Sequence, residues 1–341
     1  MNILFLTHFY PNYVPDLLLH GLRKLIGGRV VDYPRKDSLY DGELLGVPAE
    51  NEVFFNWFPS DDGIIDREDI PEKVRKGFFK YIICDSRLTW TDWTQLSEKF
   101  IIDIKSDVNA IPFFRDEALP VPDGLVIIDG GDAPLKIPSG NYVVCRRETT
   151  NAGNTIPLPM ALPDEIFEWI SAYDNEEKRY SVGFLGSFNE YSEGRRKLIE
   201  AIAEFYPDSL LKTTVVPSED NPNPHGRFNR NDYYRYMQRC RIVLNLPGLG
   251  FDTFRYWENA ACNAVHIAQR MPIYIPNDFE DNKHILRFSN ADELRRAVDA
   301  VLEGKVHPDE LVEAGREHLL KFHTTTKRAM YLLRRLHAVL G

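Results

Sequence analysis

The stretch that decides the reading is Gly248-Leu-Gly250-Phe-Asp-Thr253-Phe-Arg255-Tyr-Trp-Glu258-Asn-Ala-Ala-Cys262-Asn-Ala-Val-His-Ile267. Glycines open it, an amphipathic segment follows and an apolar, β-rich run closes it, which predicts loop, helix and buried strand in succession. Phe254, Trp257, Glu258 and Ala261 recur at spacings of three and four and share one helical face, with Arg255, Asn259 and Cys262 beside it. A helix start leaves backbone N–H groups without intrahelical partners, and such groups suit a phosphate. Arg255 adds a cation for a diphosphate and Glu258 a carboxylate for ribose hydroxyls, the equipment for holding a sugar nucleotide. A plainer alternative is a surface Arg255–Glu258 pair, worth roughly 0.2–0.5 kcal/mol. Asp252 also stands against the ligand reading: as a helix cap it would take the same N–H groups and repel an anion, leaving Thr253 the more phosphate-compatible neighbour.

Outward from this stretch, short apolar β-rich runs alternate with helical patterns, which predicts α/β layers with parallel sheets. The first half reads as strands at 2–7, 29–33, 52–57, 80–84, 100–104, 124–129 and 141–145, with helices at 15–26 and 92–98. The second half restarts the alternation: strands at 181–187, 210–216 and 242–246, helices at 195–205, 232–240 and 291–302, and one long or two broken helices over 308–340. Between the halves, residues 148–164 are first polar and then proline-rich, the composition of an extended connection. The expected architecture is two Rossmann-like domains facing across a cleft. Residues 1–155 form the acceptor side and 156–341 the nucleotide side, with the terminal helix able to pack back on the first domain.

A chain of 341 residues accommodates two such domains. A net charge of −10 argues against nucleic-acid binding, which needs a basic face. Only the end of the chain is basic, with Arg316, Lys321, Lys327, Arg328, Arg334 and Arg335 against Glu317. That pattern is either a solvated helix face or a contact for an anionic membrane surface. The four cysteines are widely spaced and form no C-x-x-C, so a reducing compartment fits and a zinc or redox site does not. The apolar start, Met1 to His8, lacks a basic leader and reads as a first buried strand, and no apolar run reaches membrane-spanning length. A cytoplasmic location is expected, with peripheral contact at the inner membrane surface as the open alternative.

Further candidates lie at strand ends, which border the ligand crevice of open α/β sheets. Gly186 and Ser187 close the run Gly183-Phe-Leu-Gly186-Ser187, where a glycine lets a ligand approach the backbone. His8, after the first strand, is placed to act as a general base, or simply to hydrogen-bond backbone. Asp85, Asp103, Asp129 and Asp132 are rival bases, with Asp129 the first choice among them; Asp129-Gly-Gly-Asp132 is equally explained as a turn. His225 sits in a loop that could reach a cleft, and His266, inside a strand, reads as structural. The sequence contains no P-loop, no G-x-G-x-x-G after the first strand, no H-E-x-x-H and no G-x-S-x-G.

On these residues, segment 182–290 resembles the C-terminal domain of GT-B glycosyltransferases, in particular the group 1 type found with spore-maturation proteins. The resemblance is carried by Val182-Gly-Phe-Leu-Gly-Ser187, Arg195-Arg196, Tyr236 and Cys240 before Ile242-Val-Leu-Asn, Arg255-Tyr-Trp-Glu258-Asn-Ala-Ala-Cys262, Pro276-Asn-Asp278-Phe and His323-Thr-Thr-Thr. The opening, Ile3 to Pro11, is also similar to many such enzymes. The resemblance implies transfer of a sugar from a UDP- or GDP-sugar, held by the second domain, to a glycan or lipid-linked acceptor held by the first. It implies that Glu258 binds ribose, that Arg255 and the glycine turns at Gly186, Gly248 and Gly250 meet the diphosphate, and that the chemistry needs no metal. Two departures weaken it: Asn263 replaces the glycine usual after Ala-Cys, and the first-loop Gly-Gly of many retaining members is missing after Pro11. Retaining and inverting chemistry both stay open, as do a nucleotide-sugar epimerase or hydrolase and a non-catalytic sugar-nucleotide or glycan-binding protein.

Overall fold

The structure is a computed structural model. It describes residues 1–40, 63–91, 106–132, 136–137, 139–150, 155–188, 193–215 and 228–341. The expected strands 52–57 and 100–104, the helix 92–98, Asp103 and His225 lie outside these residues.

The first sheet contains β1 (Ile3–Leu6), β2 (Val30–Tyr33), β3 (Tyr81–Asp85), β4 (Leu125–Asp129), β5 (Tyr142–Arg146) and β6 (Thr155–Pro157), in the order β2-β1-β3-β4-β5-β6. The second contains β7 (Tyr180–Phe188), β8 (Leu210–Val215), β9 (Cys240–Asn245), β10 (Val265–Gln269) and β11 (Leu286–Phe288), in the order β11-β10-β9-β7-β8. Pairing is parallel in every one of these ladders. β1, β3 and β4 are buried along their whole length, as strands covered on both faces must be.

The helices are α1 (Tyr13–Ile26), α2 (Ile70–Arg75), α3 (Pro112–Asp116), α4 (Asp164–Ser171), α5 (Glu193–Phe205), α6 (Arg230–Gln238), α7 (Phe254–Ala261), α8 (Ala291–Leu302), α9 (Pro308–Phe322) and α10 (Thr325–Leu340). Local chemistry sets several of their starts. Asn229 accepts the Asp232 N–H at 2.8 Å to cap α6, and Asn290 accepts the Glu293 N–H at 2.9 Å to cap α8. The basic tail is two helices, broken at His323-Thr324. There Leu162 N–H reaches His323 O and Thr325 N–H reaches Leu162 O, each at 2.9 Å. α10 then packs along α1 of the first domain, with His20 Nδ1 2.9 Å from Thr325 Oγ1.

Two local readings change. Residues 155–157 lie in the stretch read as connection, yet they add to the edge of the first sheet as β6, so the boundary drawn at 155/156 cuts a strand. Pro157 is tolerated because an edge strand need not donate on its outer side. β11, only three residues long, and the short helices α2, α3 and α4 have no counterpart in the sequence reading.

Candidate functional site

Parallel strands place their carboxyl ends along one rim of each sheet. On the second sheet that rim carries Leu185-Gly186-Ser187 at the end of β7 and the loop 246–253 between β9 and α7. Arg255, on the first turn of α7, donates from Nε to Leu185 O at 2.8 Å, and its guanidinium carbon lies 4.8 Å from the centre of the Phe184 ring. Arg195, near the start of α5, donates to Pro247 O at 3.0 Å and Leu246 O at 3.1 Å, with its guanidinium carbon 5.7 Å from the same ring. Two cations therefore share one aromatic ring between two strand ends. Burial, and next the proximity of Arg255, lower the Arg195 pKa to about 10. Two glycines make room for the pair: a Cβ on Gly186 would lie 2.6 Å from Arg255 Nη2, and one on Gly248 2.7 Å from Arg195 Nη2.

Glu258 sits one turn beyond Arg255 and is only 5% exposed. Its Oε1 accepts from Tyr234 OH at 3.0 Å and its Oε2 from Tyr233 OH at 3.1 Å. Burial raises its pKa to about 6, against the opposing pull of Arg255 and the two tyrosines. This is a buried carboxylate held by hydroxyls, and the surface-pair alternative is set aside. Each oxygen keeps a further lone pair for another donor.

The start of α7 resolves the question of Asp252. Its Oδ2 accepts the Met160 N–H at 2.7 Å and its Oδ1 the Trp257 indole N–H at 2.9 Å, so its carboxylate faces the core and does not cap the helix. The N-cap is Thr253, whose hydroxyl donates to Asn245 Oδ1 at 2.7 Å and makes no capping bond. Just upstream, the Phe251 and Asp252 N–H groups both go to Glu148 Oε1 at 2.9 Å. Arg147 donates to Asp252 O at 2.6 and 3.1 Å and to Gly130 O at 3.2 Å, and pairs with Asp132 at 2.9 Å. Gly250 lies against Asp132, Arg147 and Glu148. The loop before α7 is thus bound to the first domain by charged groups. Burial is the first cause of a Glu148 pKa raised to about 6.

In the first domain, His8 Nδ1 accepts the Tyr10 N–H at 3.2 Å, which realises the backbone-bonding alternative for that residue. Burial, then Arg87, lower its pKa. Asp129, at the end of β4, is 2% exposed and has Oδ2 3.8 Å from Arg146 Nε. Asp85 is chelated by Arg87, with Oδ2 2.6 Å from Nη2. His266 is buried in β10 and burial pushes its pKa down to about 3, so it belongs to the core.

Residues 194–334 match a family model described as glycosyl transferase-like. No curated protein sequence matches the chain. Among solved structures, a glycosyltransferase from Rickettsia africae superposes with a TM-score of 0.58 at 10% identity, covering 100% of this chain and 98% of that one. HepE of Anabaena, in complex with UDP, superposes with a TM-score of 0.57 at 13% identity, covering 99% and 100%. The same protein with UDP and glucose gives 0.54 at 14% identity, covering 99% and 100%. The chain has the GT-B fold, and the glycosyl transferase-like match lies within its second half.

Within this GT-B frame, Gly186, Gly248, Thr253, Arg255 and Glu258 gather around the carboxyl ends of β7 and β9, whereas Gly250 is turned to the first domain. Ser187 ends the same β7 rim, and its side chain is not among those described. Sequence reasoning left out Arg195, Tyr233 and Tyr234 as site residues. Arg195 stood in view only as part of a resemblance; nothing in its spacing places it over Phe184, because that contact is made by packing α5 on β7.

Proposed function

We propose that this chain is a glycosyltransferase that moves a sugar from a nucleotide-diphosphate sugar, UDP- or GDP-linked, to a glycan or other hydroxyl acceptor. One observation carries the reading: Arg195 and Arg255 over Phe184, against Gly186 and Gly248, one helical turn from the buried Glu258. A diphosphate lying on the two guanidiniums would relieve their mutual repulsion and gain charge-assisted hydrogen bonds. The same groups would stabilise the charge that develops as the diphosphate leaves, the role a divalent ion fills elsewhere, so the proposed transfer needs no metal. Glu258 would accept ribose hydroxyls on its remaining lone pairs. Helix α7 has no side-chain cap, which leaves its start available to a phosphate.

The acceptor would approach from the first domain. His8 and Asp129, at the ends of β1 and β4, are the proposed proton acceptors, and His8 serves only if its Nδ1 releases the Tyr10 N–H. Buried unpaired cysteines suit the cytoplasm, where we place the protein.

A thermal-shift screen of nucleotide sugars tests the reading. One donor should raise the Tm of the wild type, and Arg255→Ala and Glu258→Ala should remove that rise. No stabilisation by any nucleotide sugar, or a rise that survives both substitutions, would overturn it.

A further inference from the structure

The loop after β1, residues 8–12, is held by charged side chains from three other segments. Lys36 is 1% exposed. Its ammonium donates to His8 O at 2.5 Å and Tyr10 O at 2.8 Å and lies 3.3 Å from Asp16 Oδ1. Asp16, on α1, accepts the Asn12 N–H at 2.9 Å. Arg87, chelating Asp85, donates to Tyr10 O at 2.7 Å and Pro11 O at 3.3 Å. Taking such ions out of water costs several kcal/mol each, and an apolar filling is often no less stable. Fold stability alone therefore does not account for the network. Its evident product is a loop with little freedom left.

That loop displays two aromatic side chains: Phe9 is 79% and Tyr10 64% exposed, while the His8 ring is folded inward, 4.5 Å from Phe9. Five residues from His8, the Tyr13 ring lies 5.5 Å from the ring of Phe254, the first residue of α7 and the neighbour of Arg255. Tyr13, at the start of α1 just after this loop, thus meets the first turn of the helix that carries Arg255.

The Phe9 and Tyr10 rings stand at 83° to each other, 6.4 Å between centres; we infer that they form an aromatic corner for a saccharide ring of the acceptor, one ring stacking on its apolar face and the other walling its edge, with Lys36 and Arg87 as the residues that position it. The inference rests on the glycosyltransferase reading and names the acceptor's chemical class. A pyranose has an apolar face of C–H groups and a rim of hydroxyls, and flat aromatic surfaces with a few polar groups nearby suit such a ligand. Saccharide contacts are individually weak, and a preformed loop lowers the ordering cost of binding. A second copy of the chain is a poor occupant, because two aromatic side chains bury about 300–500 Å² and a stable interface needs about 800 Å² per partner. An anionic lipid surface needs accessible cations, and Lys36 and Arg87 here spend theirs on backbone carbonyls.

Saturation-transfer NMR on the full chain with UDP present, using methyl glycosides of glucose, galactose, mannose and N-acetylglucosamine and their common disaccharides, tests the corner. At least one saccharide should receive magnetisation on its C–H protons from the protein. Phe9→Ala and Tyr10→Ala should each weaken that binding about three- to tenfold, as loss of one aromatic contact does, while Phe9→Trp retains it. Both side chains are exposed, so these variants should keep the wild-type Tm and the wild-type affinity for UDP. Lys36→Met should lose saccharide binding with both rings intact, and Lys36→Arg should recover part of it. If Lys36→Met does not fold, the ring variants decide alone. No binding of any of these saccharides, or binding unchanged in the Phe9→Ala/Tyr10→Ala double variant, would overturn the corner. Failure to bind any nucleotide sugar would instead remove the reading beneath it.

Discussion

The two domains use charge in opposite ways at the ends of their strands. In the first, cations meet carboxylates and backbone carbonyls: Lys36 with Asp16, Arg87 with Asp85, Arg147 with Asp132 and Asp252 O. In the second, Arg195 and Arg255 also donate to backbone carbonyls but are brought beside each other, and α7 has no side-chain cap. The first arrangement fixes backbone. The second concentrates positive potential where a ligand's phosphates can neutralise it. If this contrast is right, substitutions in the first domain act mainly on stability and loop geometry, and those in the second mainly on donor affinity.

The largest expected effect tests the first half of that statement. Arg147 binds Asp252 O, Gly130 O and Asp132 and lies 3.5 Å from Glu148, with little solvent contact. Arg147→Met leaves Glu148 and the Asp252 carbonyl buried without their cation, while Asp132 stays open to solvent, and breaking a buried pair this way costs about 3–5 kcal/mol. Chemical denaturation should show a loss of that size, with nucleotide affinity per folded molecule nearly unchanged. Arg255→Ala should give the converse: a small change in stability and a large loss of donor binding. A matching pair of effects from both variants would erase the contrast between the domains.

A smaller effect, in pH, separates the domains again. Burial raises the pKa of Asp16 and of Glu148 to about 6. A carboxyl raised in this way binds protons better folded than unfolded, so its contribution is complete below its unfolded value near 4 and is lost as pH rises through 6. His266 in the second domain has its pKa pushed down to about 3 by burial, and His323 is pushed down strongly for the same first reason. For them the unfolded chain takes the proton first, so stability is present above about 6.5 and falls as pH drops. Between pH 6.5 and 5 a histidine held neutral loses about 2 kcal/mol. Glu258 opposes this in the second domain and His8 opposes the carboxyls in the first. The balance predicts that acidification from pH 7 to 5 loosens the second sheet relative to the first. Hydrogen exchange, corrected for the intrinsic rate at each pH, should show protection falling in β9 and β10 before β1 and β4. Equal loss in both sheets would contradict it.

How much of this was readable in advance depended on how local each cause is. The fully buried strands β1, β3 and β4 announce themselves as uninterrupted apolar runs, and the boundaries of α8 follow from the Asn290 cap. β6 was hidden because Pro157-Leu-Pro159 looks like a connection, and only pairing with β5 makes it a strand. In the site, Arg255 and Glu258 were legible because one helix places them, at a spacing of three. Arg195 and the Tyr233–Tyr234 pair were not, because their meeting with Phe184 and Glu258 is made by packing separate elements. The helix cap read at Asp252 fails for the same reason, and Glu148 carries no local signal of its part. The acid near the helix start turns inward to Trp257, and a distant one fills the loop's N–H groups.

The smallest expected effect probes the helix start itself. Thr253 donates to Asn245 and leaves α7 without a side-chain cap. Thr253→Asp supplies a cap, worth about 1 kcal/mol, and forfeits the bond to Asn245, worth about as much, so denaturation should register little net change. The new carboxylate would occupy the N–H groups a phosphate needs and add like charge beside it. UDP affinity, measured by titration calorimetry, should then fall about tenfold, or about 1.4 kcal/mol. Thr253→Asn offers a cap of similar shape without the charge and should lose less. If Asp and Asn weaken UDP equally, the helix start serves only as backbone and the diphosphate rests on the arginine pair alone. If neither weakens it, the second domain's open helix end has no part in the contrast, which then reduces to Arg195 and Arg255.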